Sequence, residues 1–234
     1  MNLIFSGCSN TGLARAANED AILMRSSGRG GLFLVADGVG GRDHGEVVSG
    51  MLRDEYDRWW EGTFLPAGAR MRFQNAVSEL KDVLFHVNRE VIGRFGESAA
   101  ASTLALLFLL EGNCVSLSAG DSRIYLARRM SFRQITTDDV CASEGGGVQG
   151  KLAGAVGIRA VPEFTLRTDE IRQGDRFFLC SDGVYRFADM GGLGRRILFG
   201  RPEPDVLAAT LSREIEGNGA GDNYSLIYLR VHTL

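Results

Sequence analysis

Aspartates stand at the ends of apolar runs along this 234-residue chain, in Leu34-Val35-Ala36-Asp37-Gly38, in Phe178-Leu179-Cys180-Ser181-Asp182-Gly183, and in Gly221-Asp222-Asn223 leading into Tyr224-Ser225-Leu226-Ile227. Ala119-Gly120-Asp121-Ser122-Arg123 separates two further runs, and Asn18-Glu19-Asp20 immediately precedes another. Singly, each reads as a turn, because Asp-Gly supplies the backbone conformations that hairpins need. As a set they suggest more. Carboxylates at strand ends are the hard oxygen ligands that Mg²⁺ or Mn²⁺ takes, and an adjacent glycine lets a backbone carbonyl approach the ion. If the ends converge, four or five mutually repelling carboxylates require cations. Two ions ~3.5–4 Å apart activate a water between them and neutralise the oxygens of a transferred phosphoryl group, so that an inert ester is hydrolysed without a covalent nucleophile.

The elements that must position these groups follow from periodicity. Apolar, β-branched runs bounded by turn signals predict strands over 3–8, 21–25, 32–36, 103–110, 114–119, 123–127, 163–167, 176–181 and 224–231, with Glu111-Gly112-Asn113 turning a hairpin. Three- and four-residue spacing predicts helices over 45–60, 71–95 and 204–216. Two long helices between groups of mostly hairpin-connected strands argue against alternating parallel units. They favour an α+β fold in which antiparallel sheets carry helices outside. Residues 138–157 break the pattern with six glycines and predict a mobile surface excursion.

Composition narrows the function. The chain is 44% hydrophobic and 24% charged, with a net charge of −3, which suits one sizeable core with no linker dividing it. Its bases, 24 arginines with Lys81 and Lys151, are spread rather than gathered into a stripe, so nucleic acid is a poor partner. The longest apolar run, 104–110, is too short for a bilayer, and the first residues lack a signal peptide's basic start and long apolar core. A cytoplasmic monomer, away from membranes, is expected. Cys8, Cys114, Cys141 and Cys180 show no C-x-x-C spacing and read as reduced thiols.

In order, Arg15-Ala16-Ala17-Asn18-Glu19-Asp20, Val35-Ala36-Asp37-Gly38-Val39-Gly40-Gly41, Ala119-Gly120-Asp121-Ser122-Arg123, Cys180-Ser181-Asp182-Gly183 and Asp222-Asn223 resemble the motifs of metal-dependent Ser/Thr protein phosphatases of the protein phosphatase 2C family, in compact bacterial form. The resemblance spans about residues 5 to 231 and implies a single catalytic domain, 1–234, built as a four-layer α-β-β-α sandwich with the 138–157 excursion as a short flap. It implies that Asp37 bridges two Mn²⁺ or Mg²⁺ ions, with Asp182 and Asp222 completing the first site and the Gly38 carbonyl the second. Asp20, with Glu19, would hold waters on the second ion, Asp121 would belong to a third, weaker ion, and Arg15 would clamp the substrate phosphate. The implied substrates are phosphorylated proteins, in opposition to a bacterial Ser/Thr kinase, some relatives serving secretion-system regulation.

The chain departs from the family in three places. Val39 stands where eukaryotic relatives place a histidine thought to protonate the leaving oxygen. Ala99-Ala100-Ala101-Ser102-Thr103 replaces the usual Gly-Ser-Thr or Gly-Thr-Thr, and the flap is shorter. Rival readings are weaker. Cys180 to Arg186 fits the C-x-x-G-x-x-R loop of cysteine-dependent phosphatases, yet Leu179 replaces the usual histidine and Asp182 would repel a phosphate dianion. Gly38-Val39-Gly40-Gly41 lacks the third glycine and the G-K-[ST] of nucleotide loops. His44, His86 and His232 lack metal-ligand spacing, and Trp59-Trp60 reads as a buried helix end. A catalytically silent phosphatase fold used as a binding module would not require all the carboxylates, and a structural cation domain gains nothing from Arg15.

Overall fold

The computed structural model describes residues 1–39, 44–140 and 152–233. Among the described residues, ten strands form two five-stranded antiparallel sheets. One sheet has the order β1 (Asn2–Asn10), β10 (Tyr224–Thr233), β9 (Arg176–Cys180), β6 (Arg123–Arg128), β7 (Ser131–Gln134). The other has the order β2 (Asp20–Ser26), β3 (Gly30–Asp37), β4 (Leu104–Leu110), β5 (Asn113–Ala119), β8 (Thr165–Glu170). The sheets face each other across Phe33, Val35, Leu107, Phe177, Leu179 and Ile227.

Helices cover both outer faces. On β3 and β4 the alternate residues Leu32, Leu34, Leu106 and Phe108 pack beneath α1 (Gly45–Trp59) and α3 (Phe73–Phe95). A π-helical turn Trp60–Phe64, a short α2 (Leu65–Ala67) and a 3₁₀ turn Gly68–Arg70 join those two helices. On the opposite face, Phe178, Tyr224, Leu226 and Tyr228 pack beneath α6 (Pro204–Gly217) and α5 (Met190–Arg195). The remaining α4 (Asp182–Tyr185) is a single turn at the end of β9. Both faces of β4 are thus covered, which explains its unbroken Leu-Ala-Leu-Leu-Phe-Leu-Leu sequence. The four-layer architecture agrees with the expected fold class.

Most predicted elements appear within a few residues of their expected bounds. Expected strand 163–167 lies further on, at Thr165–Glu170, and helix 71–95 starts at Phe73. The Glu111-Gly112 turn has φ of 48° and 85°, the pair of positive angles that a two-residue I′ hairpin demands and that glycine supplies readily. Strand β7 and the helical turns between Asp182 and Gly200 are additions. β7 is four residues long and polar except for Phe132, so its pairing with β6 and the stacking of Phe132 on Tyr125, centroids 5.0 Å apart, define it rather than its own pattern. Trp59 and Trp60 are buried, with Trp60 stacked on Phe64 at 4.4 Å.

The glycine-rich excursion leaves and rejoins the sandwich at fixed points. Asp139 donates its amide to the Gly120 carbonyl, Val140 bridges Leu152, and Val156 pairs with Ser102. Its centre, 141–151, lies outside the described residues, as does Cys141. So do Gly40 and Gly41 of the glycine cluster. Among the described residues no helix is long and apolar enough to cross a membrane.

At the β7–β8 side the two sheets splay around a gap of about 150 Å³ lined in part by Cys114, Ser116, Arg133 and Arg167. The β5–β8 and β6–β7 registers turn Arg167 and Arg133 towards the space between the sheets, beside Ser116 and Leu126 respectively.

Phe108 carries edge-to-face contacts with both Trp59 and Phe64, at 5.6 and 5.4 Å, and is wholly buried. Phe108→Ala is expected to cost about 3–5 kcal/mol of unfolding free energy. Urea unfolding followed by tryptophan fluorescence checks this; a loss under 1 kcal/mol would show that the helix layer does not rest on this ring.

Candidate active site

The strand register brings the aspartates to one end of the sandwich. Asp37, last in β3, lies directly opposite Asp20, first in β2. Asp182 follows β9 and Asp222 precedes β10, two adjacent strands of the other sheet, and Asp121 lies in the crossing from β5 to β6. Local sequence enforces the convergence. Gly183 packs so closely on the chain after Asp222 that an added Cβ would fall 2.0 Å from the Asn223 carbonyl oxygen. A side chain there would push Asp182 away from Asp222.

Hydroxyls and one amide fix the geometry. Ser181 Oγ donates to Asp20 Oδ2 at 2.8 Å and accepts the Ser225 amide at 2.9 Å, tying the two sheets together beneath the site. The Asp37 amide donates to Thr103 Oγ1 at 3.0 Å, while the Asp37 carbonyl accepts from Ser102 Oγ and the Thr103 amide. Asn223 accepts the Glu19 amide at 3.0 Å and donates to the Thr11 and Ala17 carbonyls, so it pins both ends of the loop that carries Arg15. Gly38 donates its amide to the Glu19 carbonyl at 3.1 Å and bridges Ser102.

Electrostatics reflect the crowding. Burial, then the charges of Asp20, Asp182, Asp121 and Asp222, raise the Asp37 carboxyl well above the ordinary carboxylate range. Burial lifts Asp20 to about 7, against hydrogen bonds from Ser225 and Ser181 and with help from Asp182 and Asp222. Burial also lifts Asp182 to about 6 despite Arg186, and raises Asp121 and Glu19. Two carboxylates are held by arginines. Arg15 forks onto Asp222 through Nε at 2.9 Å and Nη2 at 3.0 Å, and Arg186 contacts Asp182 at 2.7 Å.

As they stand, no three His, Cys, Asp or Glu side chains among the described residues form a set that could hold an ion. The donor chemistry nevertheless fits hard divalent cations. Asp20 Oδ1 is buried without a hydrogen-bond partner, and four other carboxylates act on Asp37. An uncompensated cluster of that kind is costly and is relieved by bound positive charge. Thus Asp37, Asp182, Asp222, Asp20 and Asp121 are brought together, with Gly38 and Glu19 alongside. Arg15 reaches the cluster by way of Asp222.

Cys180 is not presented to a substrate. It is wholly buried in the outer core of its sheet, burial pushes its thiol far up, and the arginine of its apparent motif is committed to Asp182. His44 stacks on Phe95 at 4.9 Å and starts α1 through its backbone carbonyl. Ser181, Asn223, Tyr185 and Arg186 touch the acidic residues or the loop beside them, contacts that spacing alone did not single out. Their partners lie across the fold or depend on a helical turn that sequence did not predict, although Ser181, Asn223 and Arg186 fall inside or beside motifs already marked.

Two five-stranded sheets with helices on both faces and acidic strand ends give the fold of the 2C class, and the chain belongs to the protein phosphatase 2C family, whose model matches residues 14–197. Among relatives, the Ser/Thr protein phosphatase PstP of Mycobacterium tuberculosis is 29% identical over 209 residues, covering 78% of this chain and 36% of PstP. The chain therefore matches about a third of that relative's length. The solved structure of PppA, a key regulatory component of T6SS in Pseudomonas aeruginosa, is 30% identical, covers 98% of this chain and 99% of PppA, and superposes with a TM-score of 0.81. The PstP catalytic domain in complex with 2 manganese ions, 24% identical, covers 99% of both chains with a TM-score of 0.80 and shares the fold.

The raised carboxyls give a pH signature. Asp20, Asp37 and Asp182 keep protons in the folded chain at pH values where an unfolded chain, with aspartates near ~4, has released them, so their contribution to stability falls as pH rises towards about 6 to 7. Protein held in chelator should melt at a higher temperature at pH 5 than at pH 8, and added Mn²⁺ should raise the melting temperature most at pH 8, where it competes with fewer protons. A melting temperature that climbs from pH 5 to 8 in chelator would contradict the crowding.

Proposed function

We propose that this chain is a metal-dependent phosphoprotein phosphatase acting on phosphoserine and phosphothreonine. The observation that carries the reading is the gathering of Asp20, Asp121, Asp182 and Asp222 about Asp37, with an orphaned carboxylate oxygen on Asp20. Asp37, Asp182, Asp222 and the Gly38 carbonyl would hold two Mn²⁺ or Mg²⁺ ions, with Asp20 and Glu19 acting through waters. Such ions, when bound, supply the Lewis acidity that activates a water for attack on phosphorus and the charge that offsets the phosphoryl oxygens.

The chain's own groups supply orientation. Arg15 is permanently charged and forked, half-exposed at the rim of the cluster, and placed to exchange one Asp222 oxygen for a substrate phosphate oxygen. Ser181 and Thr103 hold Asp20 and the Asp37 backbone still, so the carboxylates need not reorganise as charge moves. Val39 offers no proton to the leaving oxygen, which leaves that transfer to water or to another group. The natural substrates in this reading are targets of a bacterial Ser/Thr kinase, and residues 1–234 form one catalytic domain that acts as a cytoplasmic monomer. Likeness to PppA supports a regulatory rather than a metabolic substrate.

Purified protein should be inert towards a phosphothreonine peptide in chelator, recover with Mn²⁺ or Mg²⁺, and be indifferent to thiol alkylation. Asp37→Asn should lose turnover and metal binding together. Arg15→Ala should retain the ions but lose about 10²-fold in kcat/KM, the effect of removing one preorganised donor. Full activity in chelator, or two ions still tightly bound to Asp37→Asn by calorimetry, would overturn the assignment.

A further inference from the structure

Arg186 and Tyr185 have no part in the two-ion reading, yet Tyr185 binds Asp121, the carboxylate assigned to a third ion, and Arg186 binds Asp182 beside it. The turn of α4 places Arg186 four residues after Asp182, on the same face, and its Nη2 lies 2.7 Å from Asp182 Oδ2. Tyr185 Oη donates to Asp121 Oδ2 at 3.1 Å. The tyrosine ring is itself held, because the Arg123 guanidinium lies 3.5 Å over it and is clamped by Asp138 through Nη2 at 2.6 Å and Nε at 3.0 Å. Gln134 closes the network with a 2.6 Å bond to Asp138.

We infer that Arg186, with the Tyr185 hydroxyl, takes the place of a third divalent cation between Asp121 and Asp182, so that this phosphatase works with two ions and a built-in guanidinium. A third ion at Asp121 would have to displace the phenol from Oδ2 and share Asp182 with a cation that cannot be deprotonated. Arg186 also acts electrostatically on both carboxylates, opposing the rise that burial gives each. A guanidinium differs from a hydrated divalent ion in a way that matters for the reaction. It supplies charge and hydrogen-bond donors, but carries no exchangeable water and cannot be removed by a chelator. The third position therefore stabilises the carboxylates without responding to metal supply.

The inference rests on the two-ion reading, and counting ions separates the two. In calorimetric and electron paramagnetic resonance titrations with Mn²⁺ alone, the native chain should bind two ions. Arg186→Asp, which replaces the cation by a carboxylate beside Asp121 and Asp182, should bind three, the third at least tenfold more weakly. Arg186→Gln, a gentler change that removes the charge and adds no ligand, should also admit a third ion, more weakly than Arg186→Asp, and circular dichroism confirms that each variant is folded. Three ions on the native chain, or only two on a folded Arg186→Asp, would overturn the inference while leaving the two-ion centre standing. Fewer than two on the native chain would overturn the centre itself. Should Arg186→Asp not fold, the native count still decides, since a third ion there excludes the substitution by arginine.

Discussion

The rest of this structure is arranged around the repulsion among carboxylates gathered at one end of a sandwich. Asp37 and Asp20 face each other across a two-strand register, and Asp182 and Asp222 arrive from neighbouring strands of the other sheet. Nothing in chain propensity favours such an assembly. It exists because the apolar faces of ten strands are buried against each other and against helices, and that burial fixes where the strand ends fall. Each local device then answers the charge. Arg15 forks onto Asp222, Arg186 contacts Asp182, Ser181 donates to Asp20, and Tyr185 donates to Asp121.

Much of this was legible in the sequence because the relevant signals are local. An aspartate before glycine at the end of an apolar run marks a strand end whatever the rest of the chain does, and the 3.6-residue period of α3 is carried by its own buried side chains. The unread parts depend on distant partners. Ser181 meets Asp20 across 161 residues, and Asn223 meets Glu19 across 204. Strand β7 has only four residues and takes its identity from β6. Arg186 was visible only as the last residue of a cysteine-phosphatase pattern. The α4 turn, too short for any periodicity to reveal, is what points it at Asp182.

Small polar side chains also do more here than their exposure suggests. Ser181 contacts Asp20 of one sheet and the Ser225 backbone of the other, and Thr103 accepts from Asp37 while pairing with Ser122 at 2.7 Å. The Ser181–Asp20 and Thr103–Ser122 bonds run from one sheet to the other, so the sheets cannot slide relative to each other without breaking them. Because such bonds are buried, leaving either partner unsatisfied is costly. The spacing of the carboxylates is therefore tied to the packing of the whole fold.

The splayed side of the sandwich has a consequence of a different kind. A sheet edge exposes backbone donors and acceptors that another chain can copy, the first step towards strand exchange and fibrils. Here β7 and β8 form the outer edges on one side, and their inward positions hold Arg133 and Arg167 instead of leucine or valine. A strand from a second molecule added to either edge would have to bury its own inward residues beside a guanidinium that has no carboxylate partner among the described residues. Arginines at these inward edge positions thus disfavour the edge-to-edge pairing that aggregation needs.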